Sequence, residues 1–255
     1  MTAHPRRIAA VLATAATLLT THASASDWSY QAEIYLQGTN IKGDTTIGLP
    51  FNNRTTEVDL DSGDIFSNLD MGGMFRFEAL NNSTNWGVMV DYAFMDLGPD
   101  ASGPLGEDID ASIRQGVLEA LAFKRFQLEG SSIDYFGGIR WWDNDIDLKF
   151  NGPANTKISV EEDWVDAVVG ARWLKPLNER WTLMAKGDVG GFGLSSNFTS
   201  NLAVGAHYKM TDSLSLDLQY KAVYVDYETG SQGESGYFAY DTWTHGPIIG
   251  LIYNF

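Results

Sequence analysis

Apolar and polar side chains alternate with a period of two along most of this chain, and nowhere beyond its first residues does an apolar run approach the roughly 20 residues of a membrane-spanning helix. In residues 28–38, Trp28, Tyr30, Ala32, Ile34 and Leu36 alternate with Ser29, Gln31, Glu33, Tyr35 and Gln37. Successive side chains of a strand point to opposite faces, so this segment has one apolar and one largely polar face. Residues 69–79 set Met71, Phe75 and Phe77 against Arg76 and Glu78, and residues 86–94 set Val88, Val90 and Tyr92 against Met89 and Asp91. Asn81 to Thr84 between them reads as a tight polar turn. Further strands are expected over 112–126, 133–148, 158–174, 181–191, 200–210, 214–227 and 238–255, ten in all. A soluble sandwich would alternate in the same way, so the connectors and the strand ends must decide.

The connectors alternate in length. Short ones fall near Asn82, Glu129, Pro176 and Asp212; long ones cover 39–68, 98–110, 143–163 and 228–237, with an intermediate one at 192–199. Short turns on one side and long loops on the other are the signature of an outer-membrane barrel. Trp28, Trp86, Trp141, Trp173, Trp181, Tyr208, Tyr220 and Tyr253 stand near strand ends, where a ring with an apolar body and a polar tip suits the headgroup boundary. In lipid every backbone amide needs an internal partner, and a closed sheet leaves no unpaired edge. The expected fold is therefore all-β: a transmembrane antiparallel up-and-down β-barrel of about ten strands, with eight or twelve as the nearest alternatives. Its expected place is the bacterial outer membrane, as a monomer among lipid and lipopolysaccharide.

Residues 1–25 read as a cleaved export signal, with Arg6 and Arg7, a short apolar run from Ile8 to Leu19 and then Ala23-Ser24-Ala25; residues 26–255 form the barrel domain. Acidic residues number 33 against 17 basic ones, two of which leave with the signal, so the mature chain carries about −18. Such a charge repels phosphate backbones, which excludes nucleic acid as a partner and favours divalent cations. The absence of cysteine rules out disulfides, thiolate nucleophiles and thiolate metal sites.

Alternation turns a mixed set of charges toward the interior: Arg76, Glu78, Asp91, Glu119, Asp134, Arg140, Asp166, Arg172, Lys186, Asp188, Asp217 and Lys221. Charges withdrawn from bulk water need partners, so these are expected to form a lumen network of ion pairs, with a charged path for a small solute as the alternative. Interior side chains nearly fill an eight-stranded barrel, and a ten-stranded one is little wider, so any water path should be narrow. In Gly138-Ile139-Arg140-Trp141 and Gly170-Ala171-Arg172-Trp173 the arginines turn inward and the tryptophans to lipid. Arg114 and Glu119 fall on opposite faces, and polarity alone cannot place both inside. Gly190, Gly191 and Gly193 mark a bend at a strand end. Within the first long loop, 62–69 suits one or two helical turns, with Ser62 as cap and Ile65, Phe66 and Leu69 on one face.

Two acidic runs, Asp59, Asp61 and Asp64 and then Asp143, Asp145 and Asp147, lack the spacing of a calcium loop and are expected to be solvated loop charge, open at most to weak divalent-ion binding. No metal site or cofactor is expected. His207 and His245 are the histidines of the mature chain. His207 is expected to face inward in a structural role. His245, four residues from Asp241 on one face and with Asp143 and Asp145 as further candidates, is the one place for a hydrolase, loosely similar to the acidic and histidine groups of the ten-stranded omptin proteases without sharing their local motifs. The expected function is a structural barrel or narrow passive pore for small solutes or ions. An omptin-like or lipid-modifying enzyme, or surface binding through the acidic loops, stands as the alternative.

Asp163-Trp164-Val165-Asp166 with residues 170–173, Gly187 to Gly193, Asp226-Tyr227, Tyr240-Asp241 and Gly246-Pro247 together resemble the uncharacterised outer-membrane β-barrel proteins of Gram-negative bacteria. The resemblance covers about 90 residues of the C-terminal half well. It implies location and fold and brings no catalytic residues. The last strand places Leu251, Tyr253 and Phe255 on one face, and the resemblance implies that a chain ending in an outward Phe255 engages the barrel assembly machinery.

Overall fold

A computed structural model of the protein describes residues 27–49, 52–98, 109–150, 156–234 and 236–255, so the expected export signal lies outside the described residues. The elements are β1 (Trp28–Gln37), β2 (Asn40–Leu49), β3 (Asn52–Leu60), α1 (Ser62–Ser67), β4 (Leu69–Asn81), β5 (Trp86–Leu97), β6 (Ile109–Leu128), β7 (Ser131–Phe150), β8 (Thr156–Pro176), β9 (Trp181–Gly190), β10 (Phe198–Lys209), β11 (Leu214–Thr229) and β12 (Phe238–Asn254). Each strand from β4 to β12 pairs antiparallel with the next, and β1 joins β4 to β12, which closes the barrel. β1 and β2 form one stave: Gln37 faces Ile248 and Asn40 faces His245, so the register of β12 runs through the break at Gly38 and Thr39 without a slip. The closed wall thus has ten staves, and β3 folds back on β2 above it. Among the described residues no helix is long and apolar enough to cross a membrane; the crossing is made by strands.

Alternation sorts the two faces. Ile34, Leu36, Val88, Val90, Val165, Val169, Leu202, Val204, Ile249 and Leu251 are exposed, while Glu33, Asp91, Glu119, Asp134, Arg140 and Asp217 are buried. An exposed Val and Leu surface on a closed wall is the face that lipid covers. Trp28, Trp86, Trp181 and Tyr253 are exposed near the periplasmic turns, where Lys124 lies over Trp86 and Lys175 over Trp173, long cations reaching past rings toward headgroups. Trp243 and Tyr224 pack at 5.0 Å toward the other end of β11 and β12. Arg114 is resolved by pairing: it turns outward and meets Asp145 at 3.0 Å, while Glu119 turns inward.

Two long connectors contain more strand than the sequence suggests. In 143–163, β7 runs on to Phe150 and β8 begins at Thr156, with Asp143 opposite Asp163 and Asp145 opposite Glu161. The alternation persists there, but the outward face is acidic because this part of the wall stands above the hydrocarbon. Within 39–68, β2 and β3 form a hairpin whose apolar pattern is interrupted by Gly43, Asp44 and Gly48. Gly190 ends β9, and Gly191 and Gly193 take the left-handed φ values of 83° and 70° that turn the chain into its loop.

α1 is present, with Asp61 rather than Ser62 as its cap. The Asp61 carboxylate accepts the Asp64 N–H at 2.9 Å and Asp64 accepts the Asp61 N–H at 3.2 Å, a reciprocal capping box. Ile65 is buried with Ile41, Leu60, Met95 and Leu97 and is partly covered by Leu69, whereas Phe66 points away and is exposed. Replacing Asp61 by Ala is expected to cost roughly 1 kcal/mol, confined to α1. Hydrogen exchange should show faster amides in 62–68 with the barrel ladders unchanged.

Candidate functional site

The lumen holds most of the chain's buried chemistry, and the strands deliver it in layers. Nearest the periplasm, Glu78 on β4, Arg125 on β6, Asp134 on β7 and Arg172 on β8 close a four-membered ring: Arg125 donates to both oxygens of Asp134 at 2.7 and 2.8 Å, and Arg172 reaches Asp134 at 2.7 Å and Glu78 at 2.6 Å. Both guanidiniums lie over the Phe123 ring. Beside them Arg76 joins Glu33 at 2.8 Å to Asp91 at 2.6 Å, and Tyr35 donates to Asp91 at 2.6 Å. At mid-height Arg140, 1% exposed, donates to Glu119 at 2.6 Å, to Asp188 at 2.7 Å and to Thr199 at 3.1 Å. Lys186 donates to Glu119 at 2.8 Å, and Asn201 to Asp188 at 2.9 Å.

Three of the expected network members are held differently. Asp166, fully buried, has no cation among the described residues; it accepts the Trp142 and Trp164 indoles, each at 3.2 Å, and the Ser196 N–H and hydroxyl at 2.9 and 2.7 Å. Four neutral donors can hold an ionised carboxylate without a counter-charge. Asp217 meets Gln219 and, at 3.3 Å, His207, which faces inward. Lys221 lies near Asp91 and Glu119 yet makes no hydrogen bond or ion pair among the described residues.

Above the charges the lumen turns apolar. Trp164 stacks on Tyr227 at 3.9 Å and on Trp142 at 5.7 Å, and Phe238, Tyr240, Val225 and Ile47 complete the cluster. These rings are not among the charged residues that alternation assigns to the lumen, yet Trp142 follows Arg140 by two and Trp164 precedes Asp166 by two, which places each on the inward face. Glu33 and Arg125 join the expected lumen set: Glu33 lies on the polar face of β1, and Arg125 shares the face of Glu119. Cavities among the described residues include about 250 Å³ at the periplasmic mouth beside Arg172, Arg180 and His207, about 30 Å³ between Arg76 and Lys221, and about 60 Å³ between Arg140 and Trp142.

The candidate hydrolase residues lie elsewhere. Asp241 and His245 occupy the outward face of β12 on either side of exposed Trp243, and His245 Nδ1 is 2.8 Å from the Tyr220 hydroxyl. β7, which carries Asp143 and Asp145, stands across the barrel from β12. In the acidic runs Asp59 pairs with Lys42 at 3.3 Å, Asp61 and Asp64 cap α1, and Asp147 accepts from Ser159 at 2.5 Å. Among the described residues no group of three or more acidic or histidine side chains is disposed to hold a metal ion.

No family model and no curated protein sequence matches the chain. Among solved structures, the outer membrane protease OmpT from Escherichia coli is similar over 92% of this chain and 99% of its own, with 9% identity and a TM-score of 0.53. The translocator domain of the autotransporter NalP from Neisseria meningitidis matches over 97% of this chain and 95% of its own at 12% identity and a TM-score of 0.47. The attachment invasion locus protein Ail of Yersinia pestis covers 90% of this chain and 99% of its own at 10% identity and a TM-score of 0.37. At such identities the first match speaks to fold alone, and nothing further follows from the other two. With its wall apolar and ringed by aromatics outside and charged inside, the chain is an antiparallel ten-stave β-barrel of the bacterial outer membrane.

Proposed function

We propose that the protein is a structural barrel whose axis is closed to all but the smallest ions. The observation that carries this reading is the stacking of three bridged layers in one lumen: the Glu78, Arg125, Asp134 and Arg172 ring, the Arg140, Glu119 and Asp188 centre, and the Trp142, Trp164 and Tyr227 stack. The ring links β4 to β8, the centre joins β6, β7 and β9, and the stack links β8 to β11, so a solute passing along the axis would have to break charge-assisted bonds in a low-dielectric space and then part stacked rings. The reading is non-enzymatic; the outward placement of Asp241 and His245, away from the lumen, supports it.

The partners assigned with it are lipopolysaccharide and lipid around the wall, divalent cations at the acidic external end, and the assembly machinery at the last strand, for a barrel that acts as a monomer. Asp226 and Asp241 stand directly opposite on β11 and β12, and Asp241 is opposite Asp44 on β2, like charges that cations would relieve. Phe255 stacks on Tyr30 at 5.8 Å in an exposed aromatic patch, a surface suited to recognition during assembly.

Planar-bilayer recording tests the closed axis. Wild type is expected to show no stable open-channel current, and a variant that thins all three layers, combining Arg125→Ala, Arg172→Ala, Arg140→Ala, Glu119→Ala, Trp142→Ala and Trp164→Ala, is expected to conduct. Large, steady currents from wild type would rule the reading out.

A further inference from the structure

Between β1 and β4 the ladder of the wall is incomplete. β1 pairs with β4 only as far as Tyr35 and Met74. Beyond that point the free edge of β2 is taken by β3, and residues 69–73 of β4 pair with β5 alone, across a register slip between Leu69 and Met71. Asp70, Met71, Gly72 and Gly73 are all exposed, so the in-and-out alternation of the strand is lost. Among the described residues no strand pairing joins 36–39 to 69–73. The opening lies in the outer half of the wall, since the paired part of β1 and β4 runs down to the periplasmic turn. α1 forms its upper border, tied to β2 by the Ser62 N–H on Asn40 at 3.1 Å and to β5 by Ile65 against Met95 and Leu97.

Unpaired backbone groups facing hydrocarbon cost several kcal/mol each unless something polar reaches them. Directly behind the opening lies the cavity of about 60 Å³, lined from both margins, by Gln37 and Thr39 on one side and Met74 on the other. Its walls are mainly apolar, with Met95, Val117 and Val223 among them. Two donors in it lack acceptors among the described residues. The Gln37 Nε2 is buried without a partner, and Lys221 makes no hydrogen bond or ion pair among the described residues. Glu119, which also lines the cavity, is held by Arg140 and Lys186. Outside, Ile34, Leu36, Met71 and Phe75 present an exposed apolar approach.

We infer that this gap is a lateral portal by which a small anionic amphiphile, an alkyl chain ending in a carboxylate, passes from the outer leaflet into the lumen, where Gln37 and Lys221 bind its head. The alkyl chain lies among the methionines and valines and continues into lipid through the gap, so the polar end alone leaves the membrane surface. This site goes beyond the closed axis and does not depend on it: solute movement along the barrel and entry through its side are separate paths.

The chain has no cysteine, which allows a clean test. Leu36 and Gly73 follow the last paired positions, Tyr35 and Met74, on the outward face, and a Cβ at Gly73 meets nothing within 4 Å. The variant Leu36→Cys with Gly73→Cys, refolded in phospholipid vesicles, is compared before and after closing the gap with dibromobimane, whose fluorescence reports reaction with both thiols. A diazirine-bearing octanoate is photolysed in the vesicles and its adducts are mapped by mass spectrometry. The expected result is labelling of Met74, Met95, Val117 or Val223 that is lost on closure, while labelling of outward Ile34 and Phe75 persists. Lys221→Met is expected to abolish the internal adducts of octanoate but not those of the matching alcohol. Internal labelling unchanged by closure, or adducts confined to outward side chains in the open form, would overturn the proposal. Retained β-sheet circular dichroism in each variant shows that loss of label is not loss of fold.

Discussion

Arg140→Met is expected to destabilise the barrel by about 3–5 kcal/mol, because it removes the one cation that joins Glu119 to Asp188 and leaves buried carboxylates without their main partner. The deficit would be read as a shift in the urea midpoint of the refolded protein in phospholipid vesicles. Converting the carboxylates as well, with Glu119→Gln and Asp188→Asn, should recover most of the loss, since the amides carry no charge to desolvate and can still accept from Lys186 and Asn201. The effect should change little between low and high salt, as a pair at 1% exposure lies beyond the reach of mobile ions. A cost below about 1 kcal/mol would mean that water screens the layer as it does a surface pair, and the closed axis would fail with it.

Gly246→Ala is expected to produce the second large effect, at the upper end of the roughly 1–3 kcal/mol typical of overpacking, and Gly246→Val a larger one. A Cβ at Gly246 would run into the carbonyl of Gly38, at the break where β1 hands over to β2. Gly38 donates its N–H to Pro247 O at 2.8 Å, so the two chains are drawn together at a point where Pro247 has no N–H of its own to offer. Any side chain at Gly246 must part β12 from the composite stave. Gly73→Ala is the control: its Cβ would meet nothing, and the same urea measurement should register almost no change. Equal midpoints for the two variants would show that the Gly38 and Gly246 approach is not a constraint on closure.

The residues differ in how legible they were. Ile34 against Glu33, Val90 against Asp91 and Ile139 against Arg140 announce the two faces of the wall, because a strand's period is fixed by backbone geometry and lipid admits only apolar neighbours. Trp142 and Trp164 obey the same period, yet an indole reads as a lipid-facing ring until its neighbours are known. Asp166 shows why: a buried carboxylate accepts the two indole N–H groups, a pairing that links residues 142, 164 and 196. β2 and β3 were hidden for another reason. Ile41 and Ile47 of β2 are buried in apolar clusters, but Gly43, Asp44 and Gly48 interrupt the alternation between and beside them, so the apolar face is not visible as a period.

That strands and not helices carry this chain through a membrane, that about ten of them do so, and which face of most of them is charged can all be read from the order of residues alone. These follow from local periodicity and from the demand that lipid makes on every backbone amide. Who pairs with whom across the lumen, that Lys221 makes no hydrogen bond or ion pair among the described residues while Arg140 has three partners, and that the ladder between β1 and β4 stops at Tyr35 and Met74 emerge only from the folded chain. Those outcomes depend on register and on side chains meeting from staves far apart in the chain, which no window of neighbouring residues contains.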